Sequence, residues 1–403
     1  MKKLKRIGLL VDASRAYGRG VCRGVADFAD TRADWLILPH ERPELRELPD
    51  WIEGARLDGL IAYIPNQRLY RKIASLGIPA VDVHGRCRGG SIPVIESEAG
   101  RIVSLALEFF GRAGFRHFAF CGYPGIFFSD QREAAFQAHA GKVGGDVHLY
   151  APKQSRQPGQ DLYEFEKGRP ADVRELMVWL SHLPKPVAVL ACNDIRGQQV
   201  INACREKNLA IPEQVAVLGI DNDEIICRLS RPTLSSIEPD VEMVGFLAAS
   251  LIASRLAGSP VARRHRLPPR QIVERQSTDT VVADAPEVVA AARLIRSRIG
   301  ISVDQVCEQT GVSRSKLDRL FASAIGRTVA GEMTRVKLQL SQNLLVNSAL
   351  PVAEIARHCG FCSATYFCRF FKRETGRTPE AFRRQEQSPT GRLFSLAGSG
   401  ISA

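Results

Sequence analysis

With 403 residues, 45% of them hydrophobic, the chain is long enough to bury more than one core, and its length predicts two or three domains. No apolar run reaches the roughly 18 to 20 residues of a membrane helix, and the opening MKKLKRIGLLVDASRAYG holds only a five-residue apolar stretch, which reads as a first strand and not as a signal peptide. The net charge of +12 is uneven: from Glu287 onward 17 Lys and Arg stand against 9 Asp and Glu, which leaves +4 for the first 286 residues, so a nucleic-acid partner is expected for the small C-terminal part and a different partner for the large one.

The first 280 residues alternate short β-branched runs with amphipathic stretches. Strands are predicted at Arg6 to Val11, Trp35 to Leu38, Leu60 to Ile64, Ala80 to Val83, Phe118 to Cys121, Val187 to Ala191 and Val215 to Ile220, with helices such as Arg101 to Arg112, Asp194 to Lys207 and Val241 to Leu256 between them. This alternation predicts an α/β fold with a doubly wound parallel sheet, in which ligands meet the loops after the strands. Gly18 to Gly24, GRGVCRG, is not a dinucleotide loop, because its spacing is G-x-G-x-x-x-G and Gly18 lies seven residues past the strand. It reads as a helix start whose small residues face the sheet.

Three loops carry site chemistry. Asn193 and Asp194 follow one strand and open a helix, Asp221 follows the next strand, and Arg132 stands near the start of another helix. An amide, a carboxylate and a guanidinium at strand-end loops suit the several hydroxyls of a monosaccharide. The residues alone leave another possibility open, in which Asp194 caps its helix and Arg132 pairs with a surface carboxylate. Ten scattered cysteines without a secretion signal suggest reduced thiols and a cytoplasmic location.

After Pro268-Pro269 and the strand-like QIVER, the segment Gln276 to Pro286 turns polar and helical patterns follow to about Arg384. The predicted domains are therefore residues 1–280, 285–385 and a Gly- and Ser-rich, disordered tail at 386–403. The helical domain contains a repeat: Val303, Val306 and Gly311 recur as Val352, Ile355 and Gly360, Leu317 and Arg319 as Phe367 and Arg369, and Gly326-Arg327-Thr328 as Gly376-Arg377-Thr378. Each copy reads as helix, turn glycine, polar N-cap and second helix, which is a helix-turn-helix. Leu317, Leu320 and Phe321, or Phe367, Phe370 and Phe371, fasten the second helix by one face. The DNA-facing set is then Arg314, Ser315, Lys316 and Arg319 in the first copy and Ser363, Ala364, Thr365, Arg369 and Lys372 in the second, with a spacer helix from about Gly331 to Asn347 setting two recognition helices about one DNA turn apart. His358 and Cys359 to Cys362, CGFC, have no second pair at zinc spacing, so no metal is expected.

With GF, YF, R, FK, G and TP in place, the last hundred residues resemble the AraC-type DNA-binding domain. Cys362 stands where that family has a serine N-cap, with Ser363 available instead. The loops around Arg132, Asn193 and Asp221, with GFRHFAFCG and Ser235 to Pro239, resemble the effector domain of the lactose-repressor family, which is built as two lobes like periplasmic sugar-binding proteins; Glu98-Ala99 departs from its usual Asp-Asn. The resemblance implies Arg132, Asn193 and Asp221 on the sugar, and, through SRAYGRGVCRGV, adds Asp12 and Tyr17 as pocket residues. It implies a cytoplasmic homodimeric regulator with duplex DNA and a monosaccharide, D-xylose or a relative, as partners. RNA polymerase is a further partner, no cofactor is implied, and sugar-catabolic genes are the ones activated. The alternatives are a regulator of the same architecture that answers another small ligand or represses. An enzyme on this fold is disfavoured, since no nucleophile elbow, phosphate loop or dinucleotide fingerprint is present. A transport binding protein leaves the repeat without a role.

Overall fold

A computed structural model describes residues 4–32, 34–40, 47–87, 90–153, 165–166, 168 and 170–387. Two six-stranded sheets form the N-terminal part. The first holds β1 (Lys5–Leu10), β2 (Trp35–Pro39), β3 (Gly59–Ala62), β4 (Ala80–Asp82), β5 (Val94–Ser97) and β11 (Arg264–Leu267) in the order β11-β5-β4-β3-β1-β2, all neighbours parallel. The second holds β6 (His117–Cys121), β7 (Asp146–Leu149), β8 (Val187–Ala191), β9 (Val215–Ile220), β10 (Ser235–Pro239) and β12 (Pro269–Val273) in the order β12-β10-β9-β8-β6-β7, parallel except for β12 against β10.

Central strands such as VAVLA and VAVLGI are buried at every position, because helices cover both faces of a parallel sheet. That is why these two are legible as unbroken apolar runs. The strands absent from the sequence reading, β5, β7, β10 and β11, carry Glu96, Asp146, Ser235 and Arg264; pairing with neighbours, not hydrophobic pattern, makes them strands.

The chain passes between the lobes three times. It leaves β5 for the helix Ala99–Arg112, whose Ile102, Ala106 and Phe110 pack with Phe118 and Phe120 of the second lobe. It leaves β10 for the helix Val241–Leu256, whose Val244, Ala248 and Ile252 join the first-lobe core with Ile7 and Ile61. It then runs from β11 in one sheet to β12 in the other. Three short crossings with a cleft between are a hinge.

The glycines of GRGVCRG correct the expectation for that segment. They lie within the helix Ala16–Ala29, and a Cβ on Gly20 or Gly24 would collide with Val241 or with the Glu242 carbonyl. Gly20 and Gly24 therefore face the helix Val241–Leu256 and not the sheet, letting two backbones approach closely, while a Cβ on Gly18 would meet the Asp12 carbonyl in the loop after β1.

From Pro286 the chain is helical: Pro286–Ser297, Val303–Thr310, Arg314–Ile325, Val329–Asn347, Val352–His358, Ala364–Thr375 and Pro379–Gln387. Ser302 and Gln305 form a reciprocal capping box, and Ser363 caps its helix by accepting from Tyr366 N at 3.1 Å, so the serine shifts one place past Cys362 without loss of the cap. The final helix extends to Gln387, two residues past the expected domain end. The rest of the expected tail lies outside the described residues.

Both turn glycines are left-handed, Gly311 at φ 66° and Gly360 at φ 72°. A Cβ on Gly311 would meet nothing, whereas one on Gly360 would stand 2.8 Å from the Gly300 Cα. Gly311→Ala is expected to lose roughly 1 to 2 kcal/mol from the left-handed backbone alone, and Gly360→Ala distinctly more. Chemical denaturation of the two variants side by side measures the difference.

The helical part is fastened to the second lobe. Val282 N donates to the Ala113 carbonyl at 2.7 Å, and Val281 sits in the helical core while Val282 packs on the lobe core. Glu332, with no exposed surface, binds Arg327 at 2.6 Å, Arg335 at 2.8 Å and Arg296 at 3.1 Å. Two of these arginines also reach the α/β part, Arg296 to Asp279 at 3.2 Å and Arg335 to Glu274 at 3.7 Å.

Candidate functional site

Between the lobes lies a cavity of about 240 Å³. That is slightly under the roughly 300 to 1,000 Å³ of pockets for drug-sized ligands, so it suits a small molecule. Asp12, Tyr17, Arg132, Asn193 and Asp221 all line it. The sequence places these residues in four separate segments, Tyr17 and Arg132 falling within the helices Ala16–Ala29 and Phe127–Val143, and the lobe packing brings them to one cleft.

Asp221 sits at the end of β9 with φ 108°, followed by Asn222 at φ 49°, two non-glycine residues in a backbone region that costs energy and is characteristic of functional loops. Its Oδ1 lies 3.5 Å from Arg132 Nη2. Burial, ahead of the pull of Arg132, raises its carboxyl above the ordinary range. Arg132 also donates to the Cys192 carbonyl and its guanidinium lies over the Phe128 ring at 5.4 Å. Its partner is therefore a carboxylate of the cleft, not one on the surface.

Asn193, not Asp194, caps the helix Asp194–Glu206, its Oδ1 accepting from Arg196 N at 2.9 Å. Its Nδ2 donates to Glu166 Oε1 at 2.8 Å. Asp194 instead is a buried strut that accepts from Asp223 N and Ser236 Oγ, both at 2.6 Å, and burial raises its carboxyl strongly.

From the first lobe, Asp12 Oδ1 accepts from Ser14 N at 2.8 Å, shaping the loop by an Asx turn. Tyr17 donates its hydroxyl to the Val83 carbonyl at 2.8 Å, so toward a ligand it offers its ring and an acceptor oxygen. Behind it Asp82 takes three backbone N–H groups; burial nonetheless pushes its carboxyl up to about 7. His84, which burial brings down to about 3 and so keeps neutral, stacks on Tyr63 with ring centroids 3.9 Å apart and meets Phe127 of the other lobe edge-on at 5.2 Å.

Two ion pairs cross the cleft, Arg15 to Glu166 at 2.6 Å and Arg19 to Asp223 at 2.9 Å. Neither pair, nor the aromatic contact, is apparent in the sequence reading. Arg15 had a signal, since it lies between Asp12 and Tyr17. Glu166 had none, because its surroundings carry no periodic pattern.

In the helical part Arg314, Ser315, Lys316, Arg319, Ser363, Thr365, Arg369 and Lys372 are exposed and Ala364 is half-buried. Leu317, Phe321, Phe367, Phe370 and Phe371 are buried on the opposite face and Leu320 is half-buried. Tyr366 departs from the fastening role of its aromatic neighbours: it is 56% exposed. Arg314 is 4.0 Å from Asp318 and Lys316 is 3.4 Å from Glu287, all at the surface, where such pairs contribute little and yield readily to phosphate.

All ten cysteines are free thiols, Cys359 buried with its sulfur 3.2 Å from Ser341 Oγ. Among the described residues no cluster of His, Cys, Asp and Glu is arranged to hold a metal, and no helix is long and apolar enough to cross a membrane.

Residues 107–278 match the family model of a periplasmic binding protein-like domain and residues 306–385 that of a helix-turn-helix domain. The chain is 30% identical over 399 residues to the xylose operon regulatory protein of Escherichia coli strain K12, covering 94% of this chain and 97% of that one. It is also 30% identical over 389 residues to the protein of the same name from Haemophilus influenzae, covering 94% and 98%. A solved structure described as a xylose-binding transcription activator matches with a TM-score of 0.61 at 28% identity, over 96% of this chain and all of that one. With a two-lobed effector part and a doubled helix-turn-helix in one chain, and relatives matched nearly end to end, the chain belongs to the family of the xylose operon regulatory proteins, which are DNA-binding transcription regulators.

Proposed function

We propose that D-xylose, or a pentose close to it, binds in the cleft and turns the protein into an activator of sugar-catabolic genes. The observation that carries this is the convergence of Asp12, Arg132, Asn193 and Asp221 with the rings of Tyr17 and Phe128 on one small cavity: paired donors and acceptors meet hydroxyls, and flat apolar faces meet the C–H face of a sugar ring. The relatives' names add the identity of the sugar. Residues 1–280 act as the effector domain and 285–385 as the DNA-binding domain, in a cytoplasmic homodimer that engages RNA polymerase at the promoter.

Calorimetry with a panel of aldopentoses and aldohexoses tests the effector. At 100 times its dissociation constant the bound sugar stabilises the protein by about 2.7 kcal/mol, readable as a raised melting temperature. A panel in which no pentose or hexose produces that rise refutes a sugar effector.

On the DNA side, Arg369→Ala is expected to weaken binding to all duplexes and to flatten the salt dependence, as loss of a phosphate contact does. Arg314→Ala and Thr365→Ala are expected to relax preference at one or two base pairs, by roughly 1 to 3 kcal/mol each. Mobility shifts of the full-length protein on single-substitution operator variants separate the two patterns.

A further inference from the structure

We propose that Asn222 and Arg275 link the sugar cleft to the DNA-binding helices, with Arg275 as a positioning residue for the loop that carries Asp221; the inference rests on the sugar reading above. The loop is over-determined. Asp221 N donates to the Ile237 carbonyl at 2.9 Å and Asn222 N to Ser236 Oγ at 3.0 Å, and Asp194 ties Ser236 to Asp223 N from beneath. Such a loop has few ways to move, and consecutive left-handed residues at 221 and 222 favour discrete alternatives over gradual bending.

Within the loop the side chains divide. Asp221 and Asp223 line the cavity and Asn222 does not. Its Oδ1 instead accepts from Arg275 Nη2 at 2.8 Å, while Arg275 Nη1 donates to the Leu234 carbonyl at 2.9 Å. The guanidinium thus grips the loop after β9 and the residue that enters β10 at once. The residue preceding it is Glu274, which meets Arg335 at 3.7 Å.

From Arg335 the contacts run to buried Glu332 and thence to Arg296, which holds Asp279. The joint contains three arginines, 296, 327 and 335, and three carboxylates, Glu274, Asp279 and Glu332. It is neutral as a set, so each member's geometry depends on the others. Its arginines flank the core of the first helix-turn-helix. A ligand that seats Asp221 therefore selects a loop position that Asn222 and Arg275 hand on to the first recognition helix, provided sugar binds the two positions unequally.

The test uses the full-length protein, D-xylose, and a duplex selected by the wild type from a random pool, and measures sugar affinity with and without that duplex. The ratio is the coupling, and linkage makes it equal to the effect of sugar on DNA affinity. Asn222→Gly tolerates the positive φ and removes only the amide; Asn222→Asp keeps an acceptor for Arg275. Wild type is expected to couple by about 5- to 150-fold. Asn222→Gly is expected to bring the ratio to near 1 with sugar affinity in the absence of DNA and melting temperature unchanged, and Asn222→Asp to keep it. Arg275→Met is expected to lose the coupling as Asn222→Gly does, with a lower melting temperature because the Leu234 carbonyl also loses its donor. An Asn222→Gly ratio equal to wild type overturns the link, as does a loss in Asn222→Asp matching that in Asn222→Gly. Wild type that binds D-xylose with a ratio of 1 also overturns the link, while wild type that binds no sugar overturns the sugar reading beneath it.

Discussion

Glu332→Ala is expected to destabilise the helical part by about 3 to 5 kcal/mol and to abolish DNA binding near its melting point. The carboxylate has no exposed surface and carries hydrogen bonds from Arg296, Arg327 and Arg335. Removing it leaves three guanidinium groups together in a poorly solvated site, where the loss is dominated by the charges that remain. Burial opposes ionisation of Glu332, but the hydrogen bonds and charge of Arg335, then the charges of Arg296 and Arg327, outweigh it and hold the carboxyl down at about 2. A folded value below the unfolded one stabilises the fold above the unfolded pKa, and that stabilisation disappears as pH falls through the folded value. Against an ordinary value of 4.5 the difference amounts to about 3 kcal/mol, present above about pH 4.5 and lost toward pH 2. Unfolding followed between pH 6 and pH 2 should show that extra loss in wild type and not in Glu332→Ala. Coincident pH profiles for the two proteins would show the cluster to be energetically idle.

Asp221→Asn is expected to lose sugar binding while the unliganded protein becomes no less stable. The carboxyl is raised by burial despite Arg132, so its ionised form opposes folding: the favourable contribution is present below the unfolded pKa and disappears as pH rises through the folded one. An amide keeps the shape and tolerates a left-handed backbone better than most residues, and it removes that penalty at neutral pH. The sugar then loses a charged acceptor facing Arg132 Nη2, which costs roughly 1.5 to 3 kcal/mol, or more where a donor is left unpaired, and so on the order of tenfold to over a hundredfold in affinity. Calorimetry with D-xylose and a melting curve without it give the two halves of the result. A melting temperature that falls in step with affinity would make Asp221 a structural residue.

The helical repeat and the central strands were legible because each is written in local pattern. Gly311 and Gly360 at equivalent turns, and Leu317 and Phe367 at equivalent buried positions, declare the doubled motif without any distant contact. β8 and β9 declare themselves because a strand covered on both faces has nowhere to place a polar residue. That Asn193 and Asp221 line one cavity was foreseeable because loops after parallel strands converge at one edge whatever their separation in sequence, and Arg132 joins them from the first turns of the helix Phe127–Val143.

Tertiary structure decided the rest. The edge strand β7 exposes Asp146 and the inner strand β5 buries the charged Glu96, so neither shows an apolar pattern and both take their conformation from a neighbour's hydrogen bonds. The exchange of helices and strands between lobes, β11 to one sheet and β12 to the other, depends on which core has room for Val241–Leu256. That Asn193 caps while Asp194 struts, that glycines of GRGVCRG meet a helix and not the sheet, and that Arg15 reaches Glu166 across 151 residues are matters of which groups desolvate together. Pairing of buried charges is long-range in sequence and short-range in space, so only the packed chain fixes it.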